Sequence, residues 1–172
     1  MTVGQIYIDT TTGDLKYQGT SGTPSILTRA DGTVHLVPLI VNYSGTTGVQ
    51  SVGVSTFTGI GVSSFDPSAI FSTNGKVTRT IKYVVVLEGS TGVTAEIQLY
   101  NLSAGAIVTG SLLSTSNNSP TLLSGTLTVG ASPNVPNSAQ LYEVQLRISS
   151  PSSPAVSDRA ICKMAYIQVT WS

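Results

Sequence analysis

Tyr142-Glu143-Val144-Gln145-Leu146-Arg147-Ile148 places an apolar or aromatic side chain at every even position and a polar one at every odd position. Successive side chains of an extended chain point to opposite faces, so a period of two over seven residues predicts a half-buried β-strand. The same pattern recurs upstream, where Val93, Ala95, Ile97 and Leu99 interleave with Thr94, Glu96, Gln98 and Tyr100. Residues 77–88 begin in alternation, with Val77, Ile81 and Tyr83 against Thr78, Thr80 and Lys82. They then become apolar on both faces at 84–87, as expected of a strand that runs from an open face into a covered one. Ala160–Trp171 is apolar on both sides, with Ile161, Ala165, Ile167, Val169 and Trp171 in one phase and Cys162, Met164 and Tyr166 in the other. This strand is expected either to be covered on both faces by its own domain or to give one face to another subunit.

Turn residues punctuate these runs about every ten positions, with no amphipathic helical pattern between them. Gly89-Ser90-Thr91-Gly92 has the length of a hairpin turn, and Asn74-Gly75, Asp31-Gly32 and Gly13-Asp14 offer positive-φ positions. Longer loops are expected at residues 114–120, 131–138 and 149–158, where Ser, Asn and Pro cluster. The fold class that follows is all-β, an antiparallel jelly-roll-like β-sandwich. Residues 3–8 and 15–17, joined by a turn at 10–14, read as a short N-terminal β-hairpin. A Gly/Ser/Thr-rich connector at 19–25 and an apolar stretch at Val34–Val41 follow. The expected division is an arm over residues 1–40 and a sandwich over 41–172.

Composition limits the chemistry. Only 9% of the residues are charged, against roughly 25% in an ordinary soluble domain, so the surface is made wet by other groups. The 23 Thr and 24 Ser supply them. A hydroxyl-rich surface with net charge zero repels copies of itself weakly, which suits packing in an assembly. Eight basic residues balance eight acidic ones with no run of either sign, so neither nucleic acid nor a membrane surface is an expected partner. The polar first 22 residues have no signal-peptide core, and no run approaches the roughly 20 apolar residues of a membrane span. Cys162 is the only cysteine, which precludes an internal disulfide and reads as a small core hydrophobe.

No catalytic, metal or cofactor site is expected. His35 is the single histidine and sits in a strand-like context. Asp-x-Asp, Gly-x-Ser-x-Gly and Lys-terminated glycine loops are missing, and Gly59-Ile60-Gly61 marks a bulge or a flexible loop. Glu96 and Glu143 could face each other as a glycosidase pair on neighbouring strands, but Arg147 and Lys82 are available to pair with such carboxylates. A solvated surface pair is the stronger expectation.

Two stretches carry a resemblance. Gly4-Gln5-Ile6-Tyr7-Ile8-Asp9-Thr10-Thr11-Thr12-Gly13-Asp14-Leu15-Lys16-Tyr17 resembles a hairpin element of phage tail-fibre and virion surface proteins. Thr94-Ala95-Glu96-Ile97-Gln98-Leu99-Tyr100-Asn101-Leu102, with Tyr142–Arg147, is similar to paired strands of phage jelly-roll head-decoration and fibre domains. The resemblance implies a non-enzymatic bacteriophage structural protein, often a homotrimer, made in the host cytoplasm and carried on the outer capsid surface. A capsid decoration (cement) protein that bridges neighbouring subunits is the first expectation, with the major capsid protein or other virion proteins as partners. A tail-fibre or receptor-binding module gripping a host glycan through loops such as 114–120 is the second. On the first, Ile6, Tyr7, Ile8, Leu15 and Tyr17 are the expected arm contacts. Ile161, Met164, Tyr166, Ile167, Val169 and Trp171 are the expected oligomer interface.

Overall fold

A computed structural model describes residues 6–8, 15–18, 24–28, 34–41, 50–70 and 79–171. The expected turns at 10–14, Asp31-Gly32 and Asn74-Gly75 lie outside the described residues. Within them the chain forms β1 (Ile6–Ile8), β2 (Leu15–Gln18), β3 (Pro24–Thr28), β4 (Val34–Val41), β5 (Gln50–Val52), β6 (Thr58–Phe65), α1 (Pro67–Ile70), β7 (Arg79–Gly89), β8 (Thr94–Asn101), β9 (Ala106–Ile107), β10 (Leu113–Thr115), β11 (Thr121–Leu127), β12 (Gln140–Ser150) and β13 (Ala160–Trp171). The only described helix is one turn. Asp66 accepts from the Ser68 amide at 2.8 Å as its N-cap, and Pro67 occupies the first helical position, where no amide donor is needed.

Two sheets make the body, one ordered β11-β7-β13-β4 with β5 also on β13, the other β10-β8-β12-β6 with β9 also on β8. Every ladder in them is antiparallel and the pairing is nested: β4 and β5 with β13, β6 with β12, β7 with β11, β8 with β10. That is a long two-stranded ribbon whose tip lies between β8 and β10, wrapped so that β13 also meets β7 and β12 also meets β8. The nesting is that of a jelly roll, as the strand spacing predicts.

The alternation read from the sequence decides which side chains meet between the sheets. Ile81, Tyr83, Val85 and Leu87 of β7 face Ala95, Ile97 and Leu99 of β8 and Tyr142, Val144, Leu146 and Ile148 of β12, all buried. At about 1.5–3 kcal/mol for each large apolar side chain, these strands hold most of the driving force for folding. Where β9 and β10 leave a gap along β8, Ser111 fills it. Its buried hydroxyl accepts from the Leu99 amide at 3.0 Å and donates to the Val108 carbonyl at 2.7 Å.

Several expectations need correction. Gly89–Gly92 is not a hairpin but a corner between sheets, because β7 pairs with β11 and β13 while β8 pairs with β10 and β12. The Val93 amide bonds the Ser90 carbonyl at 2.9 Å, Gly92 takes φ of 78°, and the Ser90 amide reaches the Arg159 carbonyl at 2.9 Å. A tight turn reads alike in sequence whether it joins partners or layers. Val34–Val41 belongs with the body, since it pairs with β13 from Val34 to Val41. The N-terminal hairpin gains a third strand, β3, which begins inside the expected connector and pairs with β2. Finally, a bulge between Cys162 and Met164 shifts the phase of β13. Cys162 and Ala165 therefore both face the core, and Ile161 joins the outward set. Gly59-Ile60-Gly61 does sit at a bulge, where β6 skips a residue against Val144 and Gln145.

Burial of titratable groups has a consequence at high pH. Burial pushes the Cys162 thiol up to about 12, against a smaller downward pull from its contact with the Met164 carbonyl. Burial, then nearby Asp66, pushes the Tyr142 hydroxyl up to about 12, and Tyr83 is raised well above its ordinary value of 10.0. The unfolded chain ionises these groups at lower pH than the folded one. Stability is therefore fully present below about pH 9 and falls as pH rises toward 12. A urea midpoint that drops progressively between pH 9 and 11, with little change from pH 7 to 8, is the expected result.

Candidate functional site

The outer face of the β11-β7-β13-β4 sheet is apolar and open. Leu36 is 59% exposed, Leu122 66% and Met164 37%, with Pro38, Tyr166 and Val86 between them in register. The backbone explains the relief. Between Ala165 and Tyr166 the pairing with β4 slips by one residue, so β4 bulges away from β13. Pro38, which has no amide to donate, is tolerated on this edge strand beside the bulge. The result is a groove of about 370 Å³ lined by Leu36, Pro38, Ile40, Met164, Ala165 and Tyr166. Gly61 leaves room beneath it, since a Cβ there would stand 3.1 Å from Ile40 Cγ1. An ion pair, Lys163 Nζ to Glu88 at 3.3 Å, and Lys82 of β7, opposite Gln168, are charged groups of the same sheet.

The expected interface residues fall into three groups. Met164 and Tyr166 line the groove, and half-buried Ile161 faces outward farther along β13. Ile167 and Val169 point between the sheets and are buried in the single chain, so they are core and offer no surface. The phase of β13 after the bulge dictates this. Trp171 pairs through its backbone with Arg79. Of the arm contacts, register sets Ile6 opposite Tyr17 and Ile8 opposite Leu15, so positions 6, 8, 15 and 17 share one face of the small sheet, and Tyr7 and Lys16 share the other. The sequence reading missed Leu36, Pro38 and Leu122. Pro38 within the apolar Val34–Val41 run was the available sign of an edge strand.

The opposite sheet presents an outer face of polar side chains with exposed Val62 and Leu141 among them. Arg147 donates to Glu96 Oε2 from Nε at 2.8 Å and from a terminal nitrogen at 2.6 Å, and its guanidinium lies 4.3 Å from the centroid of the Phe57 ring. Beside it Gln98 donates to Gln145 at 2.8 Å, and Gln145 to Glu143 at 2.7 Å. Arg147 thus pairs with Glu96 as expected, whereas Lys82 lies on the other sheet. Glu96 is opposite Arg147 and Glu143 opposite Tyr100. That offset is four residues of strand, about 13 Å along the backbone, wider than the roughly 5–9.5 Å separation of a glycosidase pair. Replacing Arg147 by Met is expected to cost about 1 kcal/mol, because the pair and the ring contact are half exposed, and the loss should shrink in high salt. Urea titrations at low and high ionic strength check it.

Among the described residues no three or more His, Cys, Asp or Glu side chains group to hold a metal. His35 lies opposite Val169 in the β4–β13 ladder. Cys162 is buried, as a core hydrophobe should be. The 114–120 loop is tethered to itself and to the sheet corner. Asn117 donates to Thr121 at 3.0 Å, and its carbonyl accepts from the Gly89 amide at 2.8 Å. No described helix is long and apolar enough to cross a membrane.

No protein-family model matches the chain, and no curated protein sequence matches it significantly. Solved structures of similar fold include the VP2 subviral particle of infectious bursal disease virus, with a TM-score of 0.48 and 11% identity over 86% of this chain. A mutant VP2 of the same virus in derived T=1 particles gives 0.47 and 12%, also over 86% of this chain. In both cases the chain spans about a third of the other's length, 34%.

Proposed function

We propose that this chain is a structural subunit of a virus particle, and more narrowly a bacteriophage capsid decoration protein that bridges neighbouring subunits from the outside. The observation that carries the reading is the apolar, open groove on the β13 sheet, in a chain of which only 9% of the residues are charged. Burying such a face, together with the N-terminal strands at Ile6, Tyr7, Ile8, Leu15 and Tyr17, stabilises only the assembled state and so strengthens a shell by mass action. Ile161, Met164 and Tyr166 are the residues of the body assigned to contact a trimer neighbour or the major capsid protein. The mechanism is mechanical and needs no cofactor.

The test is to add purified protein to capsids that lack it. Saturable binding at a fixed ratio to the major capsid protein, with greater heat resistance of the shell, is expected. A second reading, a fibre module for a host glycan, draws on the ordered Gln98-Gln145-Glu143 ladder beside Phe57 and Tyr100, since fixed amides and aromatic rings suit sugar hydroxyls and faces. Binding to host cells without binding to capsids would favour it and overturn decoration.

A further inference from the structure

We infer that the outer face of the β10-β8-β12-β6 sheet packs against the same face of a second copy of this chain, about a two-fold axis running along the strands between β8 and β12. The contact needs no shell, so it goes beyond the decoration reading and does not depend on it.

Register places the side chains of this face in cross-strand rows. One row holds Glu96 beside Arg147, and the next Gln98 beside Gln145. The third holds Tyr100 beside Glu143, with Ile107 of β9 and Val62 of β6 at its two ends. One alternation farther on, Leu102 lies beside Leu141, whose carbonyl accepts from the Leu102 amide at 2.8 Å. Val62, Ile107, Leu141 and Leu102 are each 41–57% exposed, so this end of the face is an open apolar patch around one carboxylate. Contiguous exposed apolar surface of this kind marks an interaction site. Self-complementarity says what covers it. A two-fold axis parallel to the strands exchanges the columns of β8 and β12 and keeps each row over itself. Leu102 of one copy then meets Leu141 of the other, and Ile107 meets Val62, apolar on apolar. Glu96 meets Arg147, so the pair already made within each sheet becomes a square of four charges of alternating sign. Tyr100 meets Glu143, which accepts from Gln145 and has no cationic partner among the described residues, and a phenol can donate to that carboxylate. Gln98 meets Gln145, amide on amide. No row sets like charges together. An axis across the strands matches less well, because centred on the apolar rows it sets Glu143 over Glu143 or over Leu141. Stacked sheets lie about 10 Å apart with strands within about 30° of each other, as this axis allows. Four columns by four rows span roughly 20 Å each way. That is small for a permanent dimer, so copies should exchange in solution and pair firmly when concentrated.

The experiment mixes two full-length variants, Ile107→Cys and Val62→Cys, under mild oxidation over a range of protein concentrations. Both positions are exposed, and native Cys162 is buried and stays silent. The axis sets Ile107 of one copy over Val62 of the other, while two copies of either position lie at opposite edges of the joined sheets. A disulfide-linked heterodimer is therefore expected in the mixture, several-fold above the dimer from either variant alone. Sedimentation should show the unmodified chain gaining mass with concentration. Leu141→Asp, at an exposed position, should reduce both signals several-fold with the urea midpoint unchanged, and if it lowers the midpoint the disulfide yields alone decide. Equal yields in the mixture and in each single variant, or no link at any concentration, would overturn the inference. So would a chain that stays monomeric yet binds purified host-surface polysaccharide in a manner lost in Leu141→Asp, which would give the face to the glycan of the second reading. Capsid binding is not among these readouts, so decoration can fail while the pair stands.

Discussion

Ile167→Ala lowers the unfolding free energy by about 2–5 kcal/mol, whereas Met164→Ala, three residues earlier in the same strand, costs less than about 1 kcal/mol. Both side chains are large and apolar, and both belong to the stretch whose sequence pattern left open which face meets a partner. The bulge between Cys162 and Met164 separates their fates. After it Ile167 points between the sheets, in register with Tyr83, with no exposed surface, so truncation leaves a cavity that neighbours in two close-packed sheets cannot collapse to fill. Met164 lies on the outer wall of the groove, 37% exposed, where water takes the place of the lost atoms. Urea unfolding of both variants at constant slope checks the contrast. Equal losses would mean that β13 runs in the other phase, and the groove would then have no Met164 in its wall.

The same strand shows what was legible and what was not. Alternation named the inward residues of β8 and β12 correctly, because both strands keep an uninterrupted period of two across the positions that carry it. In β13 a single extra residue reverses the phase, so Ile161, grouped from sequence with Ala165, Ile167 and Val169, lies on the opposite face from them. Nothing in Ile161-Cys162-Lys163-Met164 announces the bulge except Lys163, a charge placed where strict alternation would bury it. The corner at Gly89–Gly92 failed for a different reason. Partner choice in a jelly roll is decided by residues dozens of positions away, and a local turn carries no record of it. The Glu96–Arg147 pair was foreseen because both residues occupy the polar phase of adjacent strands. The groove was not, since it arises from a slip of β4 against β13 that depends on both strands together. Pro38 hinted at an edge, and the hydrophobic run around it concealed the opening.

The wrapped ribbon depends on one close crossing, and Gly125→Val is expected to be among the most damaging single substitutions in the body. Gly125 lies in β11 opposite Tyr83, and a Cβ placed there would collide with the Gly110 carbonyl oxygen. The approach is reciprocal, because a Cβ on Gly110 would collide with the Thr126 carbonyl oxygen. Each obstacle is backbone, so no rotamer change relieves it. Gly110 also takes φ of 82°, a left-handed conformation that costs other residues roughly 1–2 kcal/mol. Gly110 precedes Ser111, whose hydroxyl completes the pairing of Leu99, so pushing the two segments apart would also pull that hydrogen bond. Overpacking at such a crossing costs typically about 1–3 kcal/mol and more when the backbone must move. Gly125→Val should therefore cost at least about 3 kcal/mol, and Gly110→Ala about 2 kcal/mol. Combined, the two should cost less than their sum, since separating the segments once relieves both collisions. Thermal unfolding of the two single variants and the double variant tests this, and strict additivity would show that the two glycines do not share one contact.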